Sequence, residues 1–209
     1  MRERLIVFAR QPVVGRAKSR LAAGIGAARA AAVYEVLLEH TMWIARESGF
    51  AAQIWFAEEP DAHWAKALGL PFETQEAGDL GRRMACCFDH LFAGGSTKVV
   101  LIGSDTAHLE PDHIPAALAA LDDHPVVLGP AEDGGYWLVG QQAPGVDLFS
   151  GIPWSQPTTL AATRARLQSL GADWFELESL PDIDTEEDLR RAVDDPRVDE
   201  ELRRRLQMV

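Results

Sequence analysis

The chain has 209 residues, 47% of them hydrophobic and 25% charged, enough to bury a full core without disulfides or a structural metal. Twenty basic against 32 acidic side chains give a net charge of -12, which disfavours nucleic acid, since phosphate contacts dominate that affinity, yet allows one local basic cluster to hold a small phosphorylated ligand. The two cysteines, Cys86 and Cys87, are neighbours that suit neither a disulfide nor a zinc site. With only five apolar residues after Met1-Arg2-Glu3-Arg4, too few for a signal peptide or a membrane span, they point to a cytoplasmic protein.

In chain order, residues 5–9 form a continuous apolar run ended by Arg10-Gln11-Pro12, the pattern of a central strand buried on both faces. Residues 13–24 read as a loop rich in glycine and cations. A long helical pattern follows over 27–47, stopped by Ser48-Gly49. A strand over 51–57, a short helix over 61–68 capped by Asp61, a short strand over 72–75 and a helix over 79–92 ended by Gly94-Gly95 come next. Residues 98–102 are a second buried strand running straight into Gly103-Ser104-Asp105. A helix over 111–121, strands over 125–128 and 136–139, a helix over 158–170, a strand over 174–177 and a helix over 185–193 complete the alternation, and 198–206 reads as a charged surface helix.

Strands alternating with helices predict βαβ units. The fold class is therefore a Rossmann-like three-layer α/β/α arrangement with a mixed, mostly parallel sheet, in a single domain over 1–209. In such sheets ligands collect at the carboxyl ends of the strands, so the residues just after each buried strand carry the argument.

Four segments stand there. In Arg10-Gln11-Pro12-Val13-Val14-Gly15-Arg16-Ala17-Lys18-Ser19-Arg20, four cations lie within eleven residues of an acidic protein, and backbone N–H groups with Lys18 can wrap a phosphate. It is neither a Walker loop nor a dinucleotide fingerprint; the bland alternative is a solvated basic loop. Asp105, after Gly103-Ser104, suits magnesium, which takes one or two carboxylates and completes its shell with water and phosphate, or else it caps a turn. In Glu132-Asp133-Gly134-Gly135 the glycines permit close backbone approach to a ligand, or form a tight hairpin turn. In Asp182-Ile183-Asp184-Thr185, Thr185 and Asp188 read as a capping box, which leaves Asp184 free for a metal, with Asp182 on the same side if the segment is extended.

These segments, together with Gly78-Asp79-Leu80-Gly81-Arg82-Arg83-Met84 and Gly129-Pro130-Ala131-Glu132-Asp133-Gly134-Gly135-Tyr136, resemble, in matching order over nearly the whole chain, a bacterial glycosyltransferase family with the nucleotide-diphospho-sugar transferase (GT-A) fold. Members are often labelled a domain of unknown function, and some are arsenosugar-biosynthesis glycosyltransferases; phospholactate and molybdenum-cofactor guanylyltransferases are more distantly similar. The resemblance implies a mixed sheet of about seven strands, a nucleotide-binding basic loop, and Mg2+ (or Mn2+) between two acids. On it, Asp105 matches one metal acid and Asp184 the second, and Lys18 and Arg16 match the basic loop. Gly81 stands where relatives contact the base. Ala9, Arg10, Gly15, Arg20, Ser104, Gly134 and Gly135 complete the nucleotide-binding set, and Lys18, Arg16 and Asp105 are the catalytic candidates. Ala107 departs from the family, which commonly has proline there.

The function so implied is a divalent-metal-dependent transferase with a nucleotide or nucleotide-sugar donor and a small-molecule acceptor, without a nucleic-acid partner or membrane span. The alternatives are a nucleotidyltransferase releasing pyrophosphate and a non-catalytic nucleotide-binding module. His108 and His113 read as surface residues. Trp43, Trp55, Trp64 and Trp174 read as packing residues, Cys86 and Cys87 likewise, and Trp154 as a candidate lining of an acceptor pocket.

Overall fold

Strand β1 (Glu3–Ala9) lies in the interior of a seven-stranded sheet in the computed structural model, which describes residues 2–209; Met1 lies outside them. Its partners are β2 (Ala51–Phe56) and β4 (Lys98–Ile102), both parallel to it. β3 (Phe72–Thr74) extends the sheet beyond β2, and β5 (Val126–Pro130), β6 (Tyr136–Gln142) and β7 (Trp174–Glu176) build out the other side, in the order β3-β2-β1-β4-β6-β5-β7. β6 alone runs antiparallel to its neighbours, because the Glu132-Asp133-Gly134-Gly135 turn folds β5 straight back onto it as a hairpin.

The apolar runs of β1 and β4 work because both faces of the sheet are covered. Leu5, Val7, Val100 and Ile102 face one side, against Leu38 and Met42 of helix α2 (Ala27–Glu47) and Ile114 and Leu118 of α5 (His113–Asp123). Ile6, Phe8, Val99 and Leu101 face the other, against Met84 and Phe88 of α4 (Leu80–Ala93) and Leu160 and Leu167 of α6 (Thr159–Leu170). α3 (Ala62–Ala67) begins as expected at Asp61, whose side chain accepts the Trp64 N–H. Among the described residues no helix is long and apolar enough to cross a membrane.

Four expectations are corrected. Residues 13–24 are not all loop: α1 (Ser19–Ile25) begins right after Lys18, and its Leu21 is fully buried. The cations and Gly24 mask this helix, whose one anchoring residue gives too little periodicity to see. The charged tail is not a surface helix alone. α8 (Glu200–Met208) buries Leu202 and Leu206 in a third cluster with Leu21, Val33, Leu37 and Ile183, so α2 is covered on its outer side as well. His108 is buried and bonds Asp195 (3.1 Å), while His113 is partly buried against Trp137. Trp43 is 43% exposed, outside the core it was expected to join. Cys86 and Cys87 are both free, in α4, with Cys87 buried among its apolar neighbours.

One buried polar group sets a pH response. His40, on α2, bonds the Leu109 carbonyl through Nε2 (3.0 Å), so that nitrogen carries a proton and donates it. Burial holds the ring's pKa below its usual value, so the unfolded chain takes up the second proton more readily than the folded one. The associated stability is present above the ordinary histidine range and is lost as pH falls through it. Thermal melts between pH 7.5 and 5 should therefore fall more steeply for the native protein than for His40→Gln; parallel curves would discard this role.

Candidate active site

Two carboxylates far apart in the chain meet because hydrogen bonds and packing between their loops tie the two segments together. The Ile183 N–H donates to the Asp105 carbonyl (3.0 Å) and the Thr106 hydroxyl donates to the Pro181 carbonyl (2.7 Å). Ile183, between Asp182 and Asp184, is buried in the third apolar cluster, which holds this segment against the end of β4. The next residues start α7 (Glu186–Asp194) with the expected capping box. Asp188 accepts from the Thr185 N–H (2.8 Å) and also from the Asp184 N–H (3.2 Å), which fixes the backbone that carries the Asp184 carboxylate.

Between the two acids lies Lys18. Its ammonium is 3.0 Å from Asp105 Oδ1 and 2.9 Å from Asp184 Oδ1, and its side chain is only 5% exposed. Burial by itself would lower the lysine pKa; the two carboxylates outweigh it and hold the group above its ordinary value, fully charged. The residue sits in the left-handed region (φ 54°, ψ 52°), a conformation costing about 1–3 kcal/mol that persists only where the surroundings enforce it. Arg20 takes the other Asp184 oxygen at 2.6 Å.

These groups form part of the wall of a cavity of about 580 Å³, within the range of small-ligand sites. It opens at the carboxyl ends of β1 and β4. The chain leaves β1 toward β2 and β3 and then returns to β1's other side as β4, so this is the topological switch point where open α/β sheets bind ligands. Ala9, Arg10, Arg16, Lys18, Arg20, Ser104, Asp105 and Asp184, all marked from the sequence, line it. Arg10 and Arg16 stand side by side, both near Glu58 (3.5 and 3.6 Å).

Other marked residues lie elsewhere. Gly15 is on the exposed outer turn of the basic loop, outside the cavity wall. Gly81 packs under Trp154, whose indole would lie 2.2 Å from an added Cβ, and neither residue is on the wall. Trp154 instead contacts Tyr136 and Phe149, and the neighbouring Ser155 reaches the cavity. Gly134 and Gly135 form the β5–β6 turn, where the Asp133 side chain accepts the Gly135 N–H (2.8 Å). The close approach at Gly134 is to the protein's own chain: its Cβ position would be 2.0 Å from the Pro157 carbonyl oxygen, and φ is +89°.

The cavity also recruits residues to which sequence reasoning gave no role. Tyr34, on α2, accepts the Arg10 N–H (2.9 Å) and hydrogen-bonds the Ser104 hydroxyl (3.0 Å), joining the ends of β1 and β4. Burial, then the charge of Asp105, raises its phenol to about 12, so it stays neutral. A polar hydroxyl on a helix's buried face was the one available hint. Gln75, whose amide donates to the Trp55 carbonyl (2.7 Å), the half-exposed Leu80, and Arg83 line the side past β2 and β3. Arg83 stands in a quoted motif, but nothing in one sequence distinguishes it from Arg82.

The donor set fits a divalent cation. Asp105 and Asp184 already share one cationic partner, and a third carboxyl, Asp182, stands beside them. Burial first, then Asp105, Asp133 and Asp184, push its carboxyl up to about 7 against the pull of Lys18. Among the described residues no three His, Cys, Asp or Glu side chains group as a ready-made metal cage. Magnesium needs none, since one or two carboxylates suffice when water and substrate phosphates supply the rest.

The profile of a bacterial family described as "Uncharacterized protein conserved in bacteria (DUF2064)" matches residues 41–156, more than half of the chain. No curated protein matches. Among solved structures, a protein from Desulfovibrio desulfuricans G20, provisionally called a nucleotide-diphospho-sugar transferase, superposes with a TM-score of 0.90 at 26% identity, covering 99% of this chain and 94% of that one. CMP:2-keto-3-deoxy-manno-octonic acid synthetase complexed with CTP gives 0.59 at 15% identity over 91% and 96% of the two chains. Rv0371C from Mycobacterium tuberculosis H37Rv, in complex with manganese, gives 0.53 at 17% over 91% and 97%. The last two show the fold alone. The fold is that of the nucleotide-diphospho-sugar transferases.

Proposed function

Since this chain belongs to the bacterial family whose profile matches residues 41–156, we propose that it is a divalent-metal-dependent transferase using a nucleotide or nucleotide-sugar donor and a small-molecule acceptor. The observation that carries this is the pairing of Asp105 and Asp184 around one cation position in the wall of a cavity that also exposes Arg10, Arg16, Arg20 and Arg83. Five of the chain's 20 basic side chains line this one cavity, a set suited to phosphate oxygens.

In this reading the arginines bind and orient the donor's phosphates, and Lys18 meets charge building on the leaving group. Gln75 and Leu80 border the end of the cavity away from the acids, where a polar amide held by Trp55 and an apolar side chain suit a base. Asp105 and Asp184 would hold Mg2+ or Mn2+, which supplies neutralisation of phosphate charge and alignment of the reacting groups. The D. desulfuricans protein's name supports a nucleotide-sugar donor. One observation favours a second reading, nucleotidyl transfer from a triphosphate: five cations are more than a nucleotide-diphosphate leaving group needs, and departing pyrophosphate would use them. A non-catalytic nucleotide-binding module would have little use for the paired acids.

The deciding experiment incubates the protein with Mg2+ and each nucleoside triphosphate or nucleotide sugar, with candidate acceptors, and reads out pyrophosphate and nucleoside diphosphate separately. Nucleoside diphosphate release marks glycosyl transfer, and pyrophosphate marks nucleotidyl transfer. Thermal shift by a nucleotide that is unchanged on adding chelator would favour the binding module, and no shift with any nucleotide would discard the proposal.

A further inference from the structure

We propose that Lys18 and the divalent cation compete for one place between Asp105 and Asp184, so that the ion enters when donor phosphates draw the ammonium off both carboxylates. This rests on the reading of those two acids as the metal-holding pair. The ammonium contacts one oxygen of each carboxylate, at 3.0 and 2.9 Å, with its side chain almost sealed from solvent. An ion held by both carboxylates would need the position between them that the ammonium now fills. The ion and the ammonium are therefore mutually exclusive there.

The contrast with Arg20 separates a placeholder from a general charge effect. Arg20 is 69% exposed and pairs with Asp184 Oδ2, outside the gap between the acids, so it can stay when the ion arrives. Lys18 cannot stay, but it has somewhere to go. It lines the same cavity as Arg16, Arg20 and Arg83, where phosphates would lie, and its four-carbon stem can swing a compact charge from one partner to the other. One ammonium thus couples the two ligands: phosphate binding releases the carboxylates for the ion, and the ion's arrival frees the lysine for phosphate.

The test measures Mn2+ binding without nucleotide, by loss of the free-ion electron paramagnetic resonance signal, for the native protein, Lys18→Met and Arg20→Met. The two variants remove the same unit of charge. The expected result is tightening by about tenfold or more in Lys18→Met and by less than about threefold in Arg20→Met. Equal tightening in both, or none in Lys18→Met, overturns the proposal.

A second measurement needs no variant. The chain has three lysines, Lys18, Lys66 and Lys98, so acetylation by acetic anhydride can be followed at each by mass spectrometry. Saturating Mn2+ should raise labelling of Lys18 relative to Lys66; labelling unchanged while Mn2+ is bound refutes eviction, whether or not Lys18→Met folds. If neither the native protein nor either variant binds Mn2+, with or without pyrophosphate, the metal reading of the site fails and this inference with it.

Discussion

Asp105→Ala is expected to weaken nucleotide binding in the presence of Mg2+ or Mn2+ by about 100-fold or more, about 2.7 kcal/mol, while leaving metal-free nucleotide binding and the fold nearly unchanged. The argument for a selective effect is geometric. What Asp105 contributes to the fold is its backbone carbonyl, which accepts from Ile183 N–H, and the substitution leaves that bond in place. Its carboxylate is 46% exposed toward the cavity, and its one close partner is Lys18, which keeps Asp184. Removing it should therefore cost the ion one of its two protein ligands and leave the core untouched. Calorimetric titration of nucleotide with and without Mg2+, alongside thermal melts, checks both halves. A variant with undiminished metal dependence would remove Asp105 from the site, and a melting temperature lowered by more than several degrees would make it a structural residue.

Gly134→Ala tests the opposite assignment. The sequence makes Gly134 a candidate for close approach to a nucleotide, whereas the structure presses it against the Pro157 carbonyl with φ at +89°. The carbonyl of Gly134 also accepts the Leu160 N–H (2.8 Å) at the start of α6, so the chain has little freedom to back away. A methyl group there meets backbone at a distance no real Cβ adopts, in a conformation L-residues avoid. The expected loss is about 3 kcal/mol or more. In a urea melt that is a midpoint lowered by about 1 M or more, for a slope of 2–3 kcal/mol/M. Unchanged stability with weakened nucleotide binding would restore the ligand-contact role and count against the packing one.

Both predictions depend on information of different kinds. Much of the fold is legible locally. The runs at 5–9 and 99–102 are apolar at every position, which in a folded domain means burial on both faces, and those are β1 and β4. The 3.6-residue pattern of α2, its stop at Ser48-Gly49, the Asp61 cap, the Thr185–Asp188 capping box and the turn before Tyr136 are all settled by neighbours a few residues apart. Helix α1 escapes because seven residues with one buried side chain carry almost no periodic signal. The buried side of α8 escapes because its leucines stand among arginines and glutamates.

The site divides along the same line. The sequence by itself determined that cations gather after the first strand, that an acid follows the fourth, and that Asp184 stands free of its own helix cap, because each is a matter of residue type beside a local stop or start. Only the tertiary structure decided that Asp105 and Asp184 share one partner, and that this partner is Lys18. Their meeting depends on the Ile183–Asp105 and Thr106–Pro181 bonds and on the burial of Ile183 under α1, α2 and α8. It was likewise the packing of separate segments that put Tyr34 between the ends of β1 and β4 and turned Gly134 toward Pro157. Contacts between residues distant in the chain leave no periodicity for a single sequence to display, because the free energy that selects them comes from surfaces that exist only once the sheet and its helices have assembled.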